Sequence, residues 1–175
     1  DPSGHVIRAG GRILRTVHGA AAREAQALMD SGLLSTLIRK GMLARTWCAA
    51  DADALRIQPA FCAADLILEH EPIEFITYPY EWTFGELRDA ALLTLDAQLD
   101  ALGDGWTLRD ASAFNVQFRD GRPILIDSLS FEPHDDGAPW IAYRQFCEHF
   151  LAPLALIARR DVRLAAGGPG REVKD

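Results

Sequence analysis

Two acidic side chains and one amide lie around a short apolar stretch in the second half of the chain. Asp110 and Asn115 are separated by four residues, and Asp127 follows directly after the run Pro-Ile-Leu-Ile. Phosphoryl transfer from a nucleotide needs a carboxylate that orients or deprotonates a hydroxyl group, together with oxygen ligands that hold Mg²⁺ on the phosphates. Two carboxylates and an amide are the residue types that this chemistry requires.

The residues between Asn115 and Asp127 predict a β-hairpin that would bring these groups together. Two short apolar strands, 116–118 and 123–126, are joined by Arg-Asp-Gly-Arg, and Asp-Gly is a strong signal for a tight hairpin turn. The hairpin would fold Asp127 back beside Asn115 and Asp110. The structural alternative is a turn in which Asp110 and Asn115 only satisfy backbone amides.

The first part of the chain predicts another hairpin, followed by two helices and a strand. Apolar residues flank Ala-Gly-Gly at 9–11, a sequence that favours a turn. The Ala-rich segment after the hairpin predicts one helix that ends near Ser31 and a short second helix over 33–40. The run Leu-Ile-Leu at 66–68 predicts a buried strand.

Two more helices are predicted in the middle and near the end of the chain. Thr83 and Glu86 form a capping-box pattern, so a long helix is expected from there to about residue 102. The last helix is expected to start near Pro139, with Asp135-Asp136 as its N-terminal cap. The predicted buried stripe of the long helix is Leu87, Ala91, Leu95, Leu99 and Leu102. This order of strands and helices predicts the α+β class.

Composition is typical of one globular domain. The 175 residues, 49% hydrophobic and 25% charged, predict a single domain over 1–165 and a linker-like tail over 166–175. The net charge of −7 and scattered basic residues argue against nucleic-acid partners, and no apolar run approaches the ~20 residues of a membrane span. Three cysteines without paired spacing predict buried free thiols, and we expect a cytoplasmic protein.

The stretch LRDASAFNVQFRDGRPILID resembles the catalytic core of protein-kinase-like folds, in particular the aminoglycoside phosphotransferase branch. On that resemblance Asp110 corresponds to the catalytic base, and Asn115 and Asp127 correspond to metal ligands. Arg15, on the strand over the phosphates, and Glu24, its expected partner on the next helix, would belong to the cofactor site for ATP and Mg²⁺. The implied fold is a small N-terminal antiparallel sheet plus a helical layer with the catalytic-loop hairpin, and a truncated second lobe.

Two further segments, YPYEWTFGELRDAALLTLDAQ and PWIAYRQFCEHFLAPL, are similar to the N-terminal region of bacterial nodulation-type SAM-dependent methyltransferases. That resemblance implies the front part of a longer protein, with S-adenosylmethionine bound only in a following methyltransferase domain that this chain lacks.

The two resemblances together imply a kinase-like, phosphotransferase-type domain that acts on a small-molecule substrate. The chain has neither a Gly-x-Gly-x-x-Gly loop nor the strand lysine of kinases. The alternative is therefore a catalytically silent domain that binds substrate or docks for the methyltransferase.

Overall fold

We describe residues 4–160 of a computed structural model, which combines a small antiparallel sheet with several helices. This arrangement confirms the predicted α+β class. The strands are β1 Val6–Ala9, β2 Arg12–Val17, β3 Thr46–Cys48, β4 Leu66–His70, β5 Trp106–Leu108, β6 Val116–Arg119, β7 Arg122–Leu125 and β8 Phe131–Pro133. The α-helices are α1 Gly19–Asp30, α2 Leu33–Arg39, α3 Ala52–Leu55, α4 Phe84–Gly103, α5 Tyr143–Phe146 and α6 Ala152–Arg160. The predicted tail 166–175 and the end of the predicted domain lie outside the described residues.

The N-terminal sheet has the strand order β1-β2-β4-β3, and every neighbouring pair is antiparallel. Its first hairpin is confirmed, and Gly10 and Gly11 in the turn have φ angles of 57° and 78°, a region that glycine enters at little cost. The second and third residues of the run Leu-Ile-Leu in β4 are buried, as predicted. The pairing of β2 with β1 and β4 fixes the position of Arg15 in this sheet.

Helices α1 and α2 confirm the predicted break. Ser31 ends α1, and Gly32 adopts the left-handed conformation (φ 85°) that lets the chain turn into α2. The leucines of α2 join the main core, together with α4 and the hairpin strands. The segment at 49–60, which carries no clear sequence pattern, contains the short helix α3.

The long helix α4 begins as predicted, and its buried face matches the predicted stripe at Leu87 and Ala91 but not at Leu99 and Leu102. Thr83 Oγ1 accepts a hydrogen bond from Glu86 N–H at 3.2 Å, and Glu86 Oε2 accepts one from Thr83 N–H at 2.8 Å, which confirms the capping box. Leu99, predicted to be buried, is 65% exposed. A step of four residues advances about 40° beyond a full helical turn, so a stripe drawn at that interval leaves the buried face. The residues that are buried instead include Ala90, Ala97, Gln98 and Ala101.

The hairpin around the candidate site is confirmed. β6 and β7 pair in register from Val116–Leu125 to Arg119–Arg122. Asp120 and Gly121, at the turn, have φ angles of 52° and 73°, as a tight hairpin turn of type I′ requires. A second two-stranded ribbon pairs β5 with β8, which flank the candidate-site segment on its two sides. This ribbon was not predicted.

The last helical segment differs from the prediction at its start. It begins at Tyr143 rather than Pro139, and Asp135 does not cap it: Asp135 Oδ1 accepts a hydrogen bond from Gly137 N–H at 3.0 Å in a local turn. A π turn, Cys147–Leu151, separates α5 from α6 and ends two residues before Pro153. Proline cannot donate a helical hydrogen bond, and the wider turn before it lets the helix continue. In residues 4–160 no helix is long and apolar enough to cross a membrane.

Candidate ligand-binding cleft

A cleft of about 510 Å³ lies between the N-terminal sheet and the end of the β6–β7 hairpin. β2 and β4 contribute residues from one side, and Asn115, Ile126 and Asp127 contribute from the other. The lining is mostly apolar, with a small charged part. The lining includes Arg15, His70, Ile73, Ile76, Asn115 and Asp127.

The charged lining residues include an ion pair between Arg15 and Asp127, and Arg8 and Glu71 also line the cleft. Arg15 Nη1 donates to Asp127 Oδ1 at 2.7 Å, and the two side chains are 16% and 26% exposed. The same carboxylate oxygen accepts a hydrogen bond from Leu129 N–H at 3.0 Å, which fixes its orientation. The pair joins residues 112 positions apart and so connects the N-terminal sheet to the segment after β7.

Asn115 lies next to this segment, as the hairpin predicts. Its backbone oxygen accepts a hydrogen bond from Ile126 N–H at 2.9 Å, which places it beside the residue before Asp127. Its side-chain nitrogen donates to Ser130 Oγ at 3.2 Å. Because the amide nitrogen is used in this way, the amide oxygen is the end of the side chain that can accept from, or coordinate, a ligand.

Asp110 is placed differently from the other two candidates. It is absent from the described residues that line the cleft, and its Oδ1 accepts a hydrogen bond from Ser112 N–H at 2.9 Å. That contact is the local turn anticipated as the structural alternative. The structure therefore brings Asn115 and Asp127 into one cleft, while Asp110 lies at the start of the same loop.

Glu24 does not form the predicted pair with Arg15. Its Oε2 accepts from Arg109 Nη1 at 3.1 Å, and Arg109 also donates to the backbone oxygen of Leu129 at 2.8 Å. Glu24 is half exposed on α1, whereas Arg15 lies deeper and pairs with the partly buried carboxylate of Asp127. The more exposed carboxylate, Glu24, thus pairs with Arg109, and the less exposed one, Asp127, pairs with Arg15. The predicted Arg15–Glu24 contact is wrong.

His70 is a cleft residue that sequence reasoning missed. Only 8% of it is exposed, and burial lowers the pKa of its imidazole to about 4, an effect that the nearby positive charge of Arg15 reinforces. Its Nδ1 lies 2.9 Å from Thr46 Oγ1 on β3. His70 is therefore neutral near pH 7 and adds a polar but uncharged group to the cleft. The only sequence signal was its position two residues after the apolar run Leu-Ile-Leu.

The apolar walls were also missed. Ile73 and Ile76, in the connection after β4, and Ile13 on β2 line the cleft beside the Arg15–Asp127 pair. Isolated isoleucines near a strand end carry no signal that separates a ligand wall from ordinary packing. A cleft with apolar walls and a few charged side chains suits a ligand that combines apolar and charged groups.

The residues of the cleft form only part of a metal-binding set. Within residues 4–160 there is no group of three or more His, Cys, Asp or Glu side chains that could hold a metal ion. Asn115 and Asp127 supply one amide and one carboxylate. Mg²⁺ commonly binds through one or two protein ligands plus phosphate oxygens and water, so these two residues fit Mg²⁺ that arrives with a phosphate ligand.

The chain has a relative among known nodulation proteins. No protein-family model matches the chain. The chain is 43% identical over 162 residues to nodulation protein NoeA of Rhizobium meliloti (strain 1021). The matched region is 93% of this chain but 33% of that protein, so the chain spans about a third of the relative's length.

Proposed function

We propose that this chain is a protein-kinase-like domain that binds ATP with Mg²⁺ in the cleft. The observation that carries the proposal is the meeting of Arg15, Asn115 and Asp127 in one apolar-walled cleft, although they come from distant parts of the chain. A sheet, a helix, a connector, a long helix and a loop-hairpin unit follow one another in the order that the resemblance implies.

The proposed roles follow from the chemistry of each side chain. The guanidinium of Arg15 would bind phosphate oxygens, for which its planar set of donors is suited. The amide oxygen of Asn115 and the carboxylate of Asp127 would coordinate Mg²⁺. Asp110 would orient the hydroxyl group of a small-molecule acceptor through its carboxylate, of which one oxygen accepts from Ser112 N–H. The acceptor class is a small alcohol.

A catalytically silent binding domain is the second candidate, and two contacts favour it. Arg15 occupies an oxygen of Asp127 that a metal would otherwise take, and Asp110 is engaged in its own turn. In this case the cleft would bind a substrate, without phosphoryl transfer, for a following methyltransferase domain. S-adenosylmethionine would then bind in that domain and not here.

We also propose that residues 1–165 form one domain at the front of a longer methyltransferase-type protein. The support is the partial coverage of NoeA together with the resemblance of two segments to nodulation-type methyltransferases. Reading the complete open reading frame tests this directly: a methyltransferase domain after residue 175 supports it, and a stop codon shortly after residue 175 contradicts it.

A thermal-shift titration with ATP, with and without Mg²⁺, tests nucleotide binding. We expect ATP to raise the unfolding temperature, and Mg²⁺ to increase that effect. Asp127→Asn should remove the Mg²⁺ dependence, because an amide replaces the carboxylate ligand. Asp110→Asn should leave binding intact and remove turnover of an acceptor alcohol.

Asp96→Asn is the matched control, since Asp96 is an exposed carboxylate on α4 that lines a separate groove. It should behave like wild type in every titration. The absence of any ATP-induced shift in the wild-type protein would refute nucleotide binding. Binding without turnover, unaffected by Asp110→Asn, would instead support the silent domain.

A further inference from the structure

The loop that carries Asp110 and Asn115 is held from outside by the last helical segment. Ala111 N–H donates to Gln145 Oε1 at 2.8 Å, and Ala113 N–H donates to His149 Nδ1 at 3.2 Å. Trp140 Nε1, just before the helix, donates to the backbone oxygen of Leu108 at 2.7 Å. Three side chains from 140–149 thus satisfy backbone groups in the first half of the loop and in the strand before it.

The two amides of the loop that the helix binds belong to Ala111 and Ala113. The candidate site residues Asp110 and Asn115 lie just before and just after this pair. Asp110 lies next to the amide that Gln145 holds. Asn115 N–H donates to Ser112 O at 3.0 Å, so the turn that ends at Asn115 begins between the two held amides. A change in the position of Gln145 or His149 would be transmitted to both candidate site residues.

The chemistry at His149 is specific. A backbone N–H can only donate, so His149 Nδ1 is the acceptor in this contact. The Ser112 hydroxyl, 3.3 Å from the same nitrogen, is its second neighbour. Phe114 packs edge-on against the ring, with the ring centres 6.2 Å apart, which restricts the imidazole further.

Gln145 and His149 are four residues apart, a spacing that places both side chains on one face of the last helical segment. Gln145 precedes the π turn Cys147–Leu151, and His149 lies inside it. π turns of this kind are common next to functional sites.

We infer that Gln145 and His149 are positioning residues that set the geometry of the 110–115 loop, and so the placement of Asp110 and Asn115 for ligand binding. The functional part of this inference rests on the proposed function. The hydrogen-bonding part does not, because it concerns only the amides of Ala111 and Ala113. The two parts are tested separately.

The first arm measures amide hydrogen exchange residue by residue. His149→Phe keeps a ring but removes the acceptor, so exchange at Ala113 should rise about tenfold or more, with Ala111 less affected. Gln145→Met should instead raise exchange at Ala111, with Ala113 less affected. His149→Asn and Gln145→Glu retain an acceptor oxygen and should restore protection. Glu148→Gln, exposed on the same helix, is the control and should change neither amide.

The second arm measures ATP affinity with and without Mg²⁺ in the same variants. His149→Phe should weaken ATP binding in Mg²⁺ about fivefold or more, because Asn115 would be displaced from the position in which it coordinates Mg²⁺. The affinity for ATP without Mg²⁺ should not change. His149→Asn should recover most of the affinity in Mg²⁺. Unchanged exchange at Ala113 in His149→Phe would overturn the inference. Faster exchange at Ala113 in His149→Phe together with a wild-type response to Mg²⁺ would also overturn the inference. The helix would then support the loop without positioning the site. If the wild-type protein does not bind ATP, the proposed function fails, while the exchange arm still decides whether the helix holds the loop.

Discussion

Removing the ion pair between Arg15 and Asp127 should destabilise the protein far more than removing a surface pair of the same length. The variant is Asp127→Asn, which keeps an oxygen that can accept from Leu129 N–H but removes the negative charge opposite Arg15. Arg15 is only 16% exposed, so its charge would be left with little water and without this carboxylate partner.

The magnitude follows from the partial burial of the pair. Losing one partner of a fully buried pair costs about 3–5 kcal/mol, and a hydrogen bond to a charged group contributes about 1.5–3 kcal/mol. With both side chains partly accessible, we expect a loss of about 2–3 kcal/mol in the free energy of unfolding. For a protein of this size, that corresponds to a decrease of roughly 5–10 °C in the unfolding temperature.

Urea unfolding followed by tryptophan fluorescence is a suitable assay, since the chain contains four tryptophans. Arg15→Met, Asp127→Asn and the double variant complete a cycle that isolates the pair, and the coupling should exceed about 1 kcal/mol. The control is Glu148→Gln. Arg144 and Glu148 are also 2.7 Å apart but 88% and 55% exposed, so the midpoint should not move. Additive effects of the two single variants, or an equal loss in Glu148→Gln, would refute the reasoning.

Two further predictions concern His70 and α4. Since the pKa of His70 falls from 6.5 to about 4 on folding, the unfolded chain takes up a proton first as the pH drops, and stability should decrease by about 2 kcal/mol between pH 7.5 and pH 5. His70→Gln should flatten the measured profile in that window, and an unchanged slope would contradict the assignment. Gln98 Oε1 accepts from Leu108 N–H at 2.7 Å inside the core, so Gln98→Ala should cost about 1–3 kcal/mol in urea unfolding. Leu99→Ala, at the exposed neighbour, should stay within about 0.5 kcal/mol, and a larger loss there would restore the original prediction of the buried face.

Local sequence signals predicted the parts of the fold that a few adjacent residues determine. Asp120-Gly121 and Gly10-Gly11 specify turns because few other residues accept their backbone angles, and Thr83 with Glu86 specifies a helix start through two local hydrogen bonds. The ribbon of β5 with β8 escaped prediction because each strand has three residues and their pairing is not local. The C-terminal half of the α4 face was misjudged because Ala97, Ala101 and the hydrogen-bonded Gln98, rather than Leu99, approach the core.

The candidate site was predictable in its residue types and not in its contacts. The hairpin signal was sufficient to place Asn115 beside the segment that carries Asp127. The partner of Arg15 depends on how the N-terminal sheet is set against the hairpin, which no local pattern encodes. The same holds for the free thiols: Cys48 and Cys62 are exposed although their residue type favours burial, because burial depends on tertiary packing.

The most direct test of the central claim is a ¹⁵N–¹H spectrum of the protein titrated with ATP in the presence of a trace of Mn²⁺, a paramagnetic substitute for Mg²⁺. If the cleft binds a metal nucleotide as proposed, the amide signals of Asn115, Ile126 and Asp127 should broaden first, and Asp127→Asn should abolish the effect while leaving the ATP-induced shifts around Ile73. Broadening centred on another surface, or none at ATP concentrations that shift the spectrum, would contradict the account.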